Sequence, residues 1–186
     1  MLRDQSWNPI SIHRVVLNFL RSEPHHWQDL LPERLHRVVD DPDLDSGEQN
    51  AARWRLLHYY RRYLVGEIPP DTAWYEVRHL EDAHLAELMV ISRSAFFNGP
   101  PFDLREVSAR KPIPLQTPPE QWQPPILWGH SEDGPFTILE GNHRLTAYAA
   151  APTGTLSIPS YVGISTMPCH WHALDPPREL VHDMWR

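Results

Sequence analysis

The chain has 186 residues, 41% of them hydrophobic, which is enough for one domain with a substantial core. Its formal net charge of -7 does not favour generic binding to nucleic acid or to an anionic membrane. The single cysteine, Cys169, excludes an internal disulfide and fits a reducing compartment. No apolar run approaches the length of a membrane span, and the N-terminus lacks an apolar signal segment. We therefore expect a soluble, cytoplasmic protein.

The first third of the chain predicts a layer of helices. Asn8 followed by Pro9 is typical of a helix start, and the apolar positions after it recur with helical spacing. These positions are Ile12, Val15, Val16, Phe19 and Leu20. Further helices are expected over residues 27–39, with a break at Pro32, and from a capping-box pattern at Ser46 to about residue 64.

From residue 73 onward the pattern changes to strands and short helices. Strands are predicted over residues 74–80, 125–128, 136–139, 158–164 and 170–174. Helices are predicted over residues 82–91 and 142–150, and a long proline-rich connection over residues 98–125. The fold class is therefore α+β, with a small mixed sheet and short helices over residues 71–186. An N-terminal helical region, residues 1–70, is expected to pack on this core.

The segment with the clearest chemistry is residues 136–150. An apolar strand leads directly into Glu140 and Gly141, and a helix of small and apolar residues follows. Glycine allows a sharp turn, and the free amides at a helix N-terminus, together with the helix dipole, attract an anion. His143 and Arg144 lie in the first turn, where a guanidinium can bind phosphate oxygens in a bidentate fork.

A plain strand–turn–helix connection with exposed polar residues is the alternative interpretation of this segment. Two potential cations at a helix N-terminus oppose the dipole, so they are unfavourably placed unless an anion binds there. A purely structural sequence would more often carry Asp or Glu at these positions. From the residues alone, both interpretations stay open.

The run Glu140-Gly-Asn-His-Arg-Leu-Thr-Ala, followed by Tyr-Ala-Ala, resembles the phosphate-binding box of the ParB/sulfiredoxin-like superfamily (ParB N-terminal domain-like). The order of the predicted elements from residue 73 to 165 is similar to that superfamily. The resemblance implies its fold, and it implies that Gly141, Asn142, His143 and Arg144 hold nucleotide phosphates. It further implies a nucleoside triphosphate or diphosphate with Mg²⁺ as the cofactor.

Departures from the superfamily narrow the expected activity. Its sulfinic-acid reductases carry a cysteine where this chain has Asn142, so that activity is not expected. Its chromosome-partition proteins continue into a DNA-reading domain, whereas about twenty residues follow the last strand of the box region here, so DNA binding is not expected. A kinase for a small molecule, as in its free-serine kinases, or a phosphohydrolase remains, and the substrate is unknown.

Phosphoryl transfer needs a carboxylate that holds Mg²⁺ or accepts the hydroxyl proton. Glu140 is the first candidate because it adjoins the phosphate-binding turn, and His143 and Glu76 are further catalytic candidates. Glu81 and Asp82 are better explained as helix caps. With Arg144 as the main phosphate ligand, Arg144→Ala is expected to abolish nucleotide binding with little loss of fold.

Two other features suggest alternative functions. His170 and His172 share one face of a predicted strand and could bind a metal together with His130 or His143, as in a metal-dependent hydrolase or nuclease. Ordinary strand-edge histidines explain them more simply, and no metal site is predicted. Arginines interleaved with aromatic residues in the third helix are typical of a surface for single-stranded nucleic acid, but the acidic chain and the regular apolar stripe favour an amphipathic helix with a basic outer face. This helix could instead dock a protein partner or a second copy. A non-catalytic, nucleotide-switched or partner-binding module is thus the main alternative.

Overall fold

The computed structural model describes residues 2–30, 32–33, 36–91, 103–110, 113–152, 154–169 and 171–172, with only the backbone for residues 30 and 62–65. The helices are α1 (Ile12–Ser22), α2 (Arg37–Asp40), α3 (Gly47–Glu67), α4 (Leu104–Arg110) and α5 (Asn142–Ala150). The strands are β1 (Trp7–Pro9), β2 (Ala73–Glu81), β3 (Leu88–Val90), β4 (Ile126–Gly129), β5 (Phe136–Glu140) and β6 (Ser157–Ile164).

The six strands form one mixed sheet in the order β1-β2-β6-β4-β5-β3. β1, β2 and β6 pair antiparallel, as do β4 and β5, whereas β4–β6 and β3–β5 are parallel pairs. The expected α+β class with a mixed sheet and short helices is confirmed. The specific ParB/sulfiredoxin-like fold remains a prediction. No helix in the described part of the chain is long and apolar enough to cross a membrane.

Alternating side chains of the strands feed two cores, one on each face of the sheet. On one face Ile126 and Trp128 of β4 pack with the buried residues of α1 and α3. On the other face Leu127 packs with α4 and with Leu145 and Tyr148 of α5. The N-terminal helices therefore cover one face of the sheet, and α4 and α5 cover the other.

The predicted helix start at Asn8 and Pro9 is wrong. Both residues belong to β1, an edge strand in which Pro9 lies opposite Tyr75, and an edge strand tolerates the missing proline donor. α1 begins at Ile12 instead, where the Ser11 hydroxyl accepts the Arg14 amide. The predicted apolar stripe is confirmed, because Val15, Val16, Phe19 and Leu20 are all buried.

The helical stretch predicted over residues 27–39, with a break at Pro32, is found only in part. Among the described residues of this stretch, Gln28–Leu30 is a single 3-10 turn and Arg37–Asp40 is a four-residue α-helix. The two pieces lie on either side of Pro32, as expected for a proline that disfavours helical geometry in the residue before it. α3, in contrast, follows the prediction closely and runs to Glu67, with a kink at Arg61.

Two predictions between β2 and β4 need correction. The helix expected over residues 82–91 is a 3-10 helix, Asp82–Glu87, after which Leu88–Val90 forms an edge strand along β5. The connection expected over residues 98–125 contains α4 within its described part; residues 98–102 and 111–112 lie outside the described residues. In both regions apolar residues join the core on this face of the sheet. They are Leu88 and Val90 of the new strand and Leu104 and Val107 of α4.

The elements around the box agree with the sequence-based expectation. β4 and β5 form the predicted hairpin, α5 covers residues 142–150 as predicted, and β6 runs over the predicted strand. The strand predicted over residues 170–174 falls mostly outside the described residues.

Candidate functional site

The turn between β5 and α5 is built around Gly141. This residue precedes α5 with φ 98° and ψ 8°, a left-handed conformation that glycine adopts without steric cost. A side chain at this position would bring its Cβ within 3.0 Å of the Pro125 Cβ. Both the dihedral angles and the close approach of the chain before β4 therefore require glycine here.

An irregularity in the β4–β5 pairing determines the direction of Glu140. Ile126 lies opposite Glu140 while the next residue, Leu127, lies opposite Ile138, so β5 has one extra residue at this point. Such a bulge alters the alternation of side chains along a strand. Leu139 packs in the core beneath the N-terminal helices, and the Glu140 carboxylate interacts with Ser22 and Glu23 on that side of the sheet.

Arg144 lies against the protein and is not extended in front of the helix. One of its Nη atoms forms an ion pair with the Glu140 carboxylate. The other donates to the Gln123 carbonyl at 3.1 Å, and the guanidinium carbon lies 5.9 Å from the centre of the Trp122 ring. The predicted phosphate ligand is thus held by a carboxylate, a carbonyl and an aromatic face.

The Glu140 carboxylate is the anion of this arrangement. Only 11% of its side chain is exposed, and burial raises the pKa of Glu140, with a further rise from the nearby charge of Glu23. The charge of Arg144 and a hydrogen bond from the Gly141 amide act in the opposite direction and favour the ionised form. Glu140 therefore occupies a position at the start of α5 that an anionic ligand would also favour.

The start of α5 has no cap from a side chain. The first helical hydrogen bond runs from the Leu145 amide to the Gly141 carbonyl at 3.0 Å, so the helix itself does not use the amides of Asn142, His143 and Arg144. The Asn142 side chain donates to the Ile138 carbonyl at 2.9 Å, and its buried Oδ1 has no hydrogen-bond partner among the described residues. His143 is exposed.

A second ion pair, which the sequence analysis missed, connects the N-terminal helices to this site. Both carboxylate oxygens of Glu23, at the end of α1, accept hydrogen bonds from Arg61 of α3. Beside it, burial raises the pKa of Tyr60, and its buried hydroxyl has no partner among the described residues. Glu23 and Arg61 are 38 residues apart in sequence, whereas Glu140 and Arg144 are four residues apart. Only the pair formed by Glu140 and Arg144 has a spacing that the sequence could have revealed.

Glu76 does not meet the other predicted catalytic residues. It pairs with Tyr161, which pairs with Ile126, which in turn pairs with Glu140, so Glu76 and Glu140 belong to one row across the sheet. Three strand spacings separate their backbones by roughly 14 Å. Glu76 forms an ion pair with Arg14 at 3.1 Å. The sheet therefore brings Glu140, His143 and Arg144 together and leaves Glu76 apart.

The histidines singled out in the sequence form a different cluster. The rings of His130 and His172 lie 4.9 Å apart, and His172 is almost completely buried. Their hydrogen bonds go to backbone carbonyls, of Ser165 for His130 and of Pro135 for His172. His170 lies outside the described residues. Within the described ranges, no group of three or more His, Cys, Asp or Glu side chains is placed to hold a metal ion.

Comparison with known proteins returns no match: no family model matches the chain, and neither the curated proteins nor the solved structures contain a significant neighbour. The superfamily resemblance therefore rests on residues 140–150 and on the order of the elements around them.

Proposed function

We propose that this protein binds the phosphates of a nucleotide at the N-terminus of α5. The observation that carries the proposal is the unusual start of this helix. Its N-cap is a left-handed glycine without a capping side chain, and its first turn contains His143 and Arg144 but no acidic residue. Free amides at a helix N-terminus form an anion site, and an arginine in the first turn favours phosphate there, because its fork matches two phosphate oxygens.

In this proposal the Glu140 carboxylate and the phosphate compete for Arg144. Its carboxylate pairs with Arg144 in the absence of ligand, and an incoming phosphate takes over the guanidinium. A phosphate carries more charge than a carboxylate and offers more acceptor oxygens to the amides of the first turn. Arg144 would exchange the Glu140 carboxylate for the phosphate, whereas its contacts with Trp122 and the Gln123 carbonyl could remain.

Once released from Arg144, the Glu140 carboxylate would act as the proton acceptor of the proposed reaction. Burial raises the pKa of this carboxylate, which suits a group that accepts a proton. In a phosphotransfer reaction the terminal phosphoryl group would pass to a hydroxyl oxygen of a small molecule, with cleavage of its bond to the nucleotide. The hydroxyl proton would pass to Glu140, and His143 would contact the phosphates.

Mg²⁺, if it accompanies the nucleotide, would need one or two carboxylates besides the phosphate oxygens and water. Glu140 is the carboxylate in position for this role, and Glu76 is too distant to share it. A bound Mg²⁺ would neutralise developing charge on the phosphates.

The second candidate is a non-catalytic module whose partner binding is switched by nucleotide. It is favoured by the engagement of both carboxylates, since Glu140 pairs with Arg144 and Glu76 pairs with Arg14. The ion pair between Glu23 and Arg61 lies next to Glu140, so a phosphate that displaces Glu140 would alter the contact with the N-terminal helices. Stoichiometric nucleotide binding without turnover would favour this candidate.

The proposal is tested by calorimetric titration with ATP, ADP, CTP, GTP and inorganic pyrophosphate, with phosphorus NMR to detect products. Arg144→Lys keeps the charge opposite Glu140 but loses the fork, so nucleotide binding should weaken at least about tenfold. Arg78→Gln, which removes an exposed charge on β2, is the matched control and should bind like the wild type.

Glu140→Gln gives the sharpest test. Since this change removes the competing carboxylate, pyrophosphate should bind more tightly than to the wild type when Mg²⁺ is absent. Any phosphotransfer should be lost in the same variant. If Glu140→Gln leaves pyrophosphate binding unchanged or weaker, the carboxylate is not a competitor; if no nucleotide binds to the wild type, the proposed function is wrong.

A further inference from the structure

A cavity of about 260 Å³ lies between α1 and the chain segment that leads into β4. Its polar side is formed by three residues of one face of α1, Arg14, Asn18 and Arg21, which follow each other at spacings of four and three residues. The backbone positions of the two arginines are roughly 10 Å apart along the helix. The cavity is therefore lined from end to end by hydrogen-bond donors of a single helix.

Asn18 is fixed at the centre of this row. Its side chain is 4% exposed and donates to the Pro124 carbonyl at 2.7 Å. The same segment contributes Gln123, whose carbonyl accepts from Arg144. A polar side chain that is buried and held in one orientation, at the wall of a cavity, gives a ligand a defined partner without a large loss of side-chain entropy.

The two arginines differ in their charge balance. Arg14 donates to the Tyr161 hydroxyl at 3.0 Å and forms its ion pair with Glu76, so its charge is compensated. Arg21 donates from Nε and one Nη to the neutral Val39 carbonyl, at 3.2 and 3.0 Å, and has no carboxylate partner among the described residues. Arg21, an exposed residue at one end of the cavity, thus has no ion-pair partner among the described residues and retains further N–H donors.

The remaining walls combine apolar and polar residues. The apolar ones are Leu17 of α1, Pro42 and Leu44 of the connection between α2 and α3, and Pro124, and the polar ones are Gln123 and Tyr161. That connection also contains aspartates, but none of them lines the cavity. The Asp43 carboxylate accepts the backbone amides of residues 45 and 46 instead.

We infer that this cavity binds a small organic acid with one carboxylate, which pairs with Arg21 while its carbon skeleton packs on the apolar wall. A monoanion matches the charge of Arg21, and the apolar side chains of Leu17, Pro42 and Leu44 favour a carbon skeleton, which inorganic phosphate lacks. The volume admits only a small molecule. The site adjoins the start of α5 through Gln123, which lines the cavity and whose carbonyl accepts from Arg144, but the inference does not rest on nucleotide binding there.

The inference is tested by NMR titration of the full chain with sodium butyrate and sodium benzoate, at constant ionic strength maintained with chloride. The side-chain amide of Asn18 and the Nε–H of Arg21 should shift in a saturable manner with at least one carboxylate. Inorganic phosphate is the comparison anion and should give no saturable shift of these two groups.

Arg21→Gln should abolish the shift of the Asn18 amide, whereas Arg78→Gln should leave it unchanged. Arg21→Lys is the second variant, because it keeps the charge and a donor for Val39 while it loses the fork, and it should bind more weakly than the wild type. The inference is overturned if neither carboxylate gives saturation in the wild type. It is also overturned if Arg21→Gln responds like the wild type, or if phosphate shifts the same groups as strongly.

Discussion

The first backbone amides of α3 and of α5 have no partners within their helices, and the two helix starts differ in what surrounds these amides. At α3 the Ser46 hydroxyl accepts the Gln49 amide at 3.3 Å, the Asp43 carboxylate accepts two amides just before the helix, and Glu48 lies in the first turn. At α5 the cap is Gly141, and the first turn contains His143 and Arg144. Both helices begin with free amides, but only α3 closes them with its own side chains.

This difference between the two helix starts underlies the proposed function. A structural helix gains about 1 kcal/mol from its cap and a few tenths more from an acidic first turn. α5 forgoes both contributions, and its nearest carboxylate, Glu140, belongs to the preceding strand and pairs with Arg144. The arrangement at α5 is consistent with a helix start kept open for an exchangeable anion, which is the basis of the proposed function.

The largest effect should come from the ion pair itself. Arg144→Ala leaves the buried Glu140 carboxylate without its partner, so the free energy of unfolding should fall by about 3 kcal/mol. The structure thus corrects the expectation that this variant loses binding with little loss of fold. Urea unfolding of Arg144→Ala, Glu140→Gln and the double variant measures the coupling. Additive losses would contradict the ion pair.

Gly141→Ala should be the next most damaging change at α5. The left-handed backbone and the contact with Pro125 should together lower the free energy of unfolding by about 2 kcal/mol. Gly66→Ala is the matched control, because Gly66 lies within α3 with open space around it, and alanine there should add about 0.5 kcal/mol. Equal effects of the two changes on the urea midpoint would show that the turn is not constrained.

The two helix starts should respond to substitution with opposite signs. Ser46→Ala should lower the free energy of unfolding by about 1 kcal/mol, because α3 loses its cap. His143→Asp should raise it by about 0.5 kcal/mol, because an acidic residue complements the dipole of α5. The same His143→Asp change should weaken pyrophosphate binding. If His143→Asp is less stable than the wild type and binds pyrophosphate equally well, the start of α5 does not differ from that of α3 in the proposed way.

The smallest effect expected is a pH dependence from Glu140. Burial raises the pKa of this carboxyl above its ordinary value of 4.5, so the folded protein holds the proton more tightly than the unfolded chain. The resulting stabilisation is complete below pH 4.5 and is lost as the pH rises through the folded-state pKa. The stability difference between the wild type and Glu140→Gln should therefore shift against the wild type as the pH rises. A shift in its favour over the same range would contradict the raised pKa.

Local sequence patterns predicted the elements around the site well. The strand, the glycine and the helix of residues 136–150 are neighbours in sequence, and each has a clear local signal. The failures occurred where packing decides: Leu88–Val90 becomes a strand because β5 offers an edge, and Asn8 and Pro9 pair with β2 before α1 begins. Such pairings join distant residues and leave no local pattern.

The site itself was predicted only in part. The positions of Gly141, Asn142, His143 and Arg144 at the helix start follow from their sequence order. The inward direction of Arg144 depends on the extra residue in β5, which turns Glu140 toward α1, and on the chain before β4, which supplies Gln123 and Trp122. The pairing of Glu23 with Arg61 depends on the packing of α1 against α3 and could not be read from spacing.

The most direct test follows the backbone amides of residues 142, 143 and 144 in nitrogen–proton correlation spectra during titration with ATP, CTP and GTP, each with Mg²⁺. If phosphates bind at the start of α5, these three amides and the Nε–H of Arg144 should shift together, saturate at one ligand concentration, and respond more strongly than the amides at the start of α3. Unchanged amides at residues 142–144, with any of the three nucleotides at saturating concentration, would contradict the account.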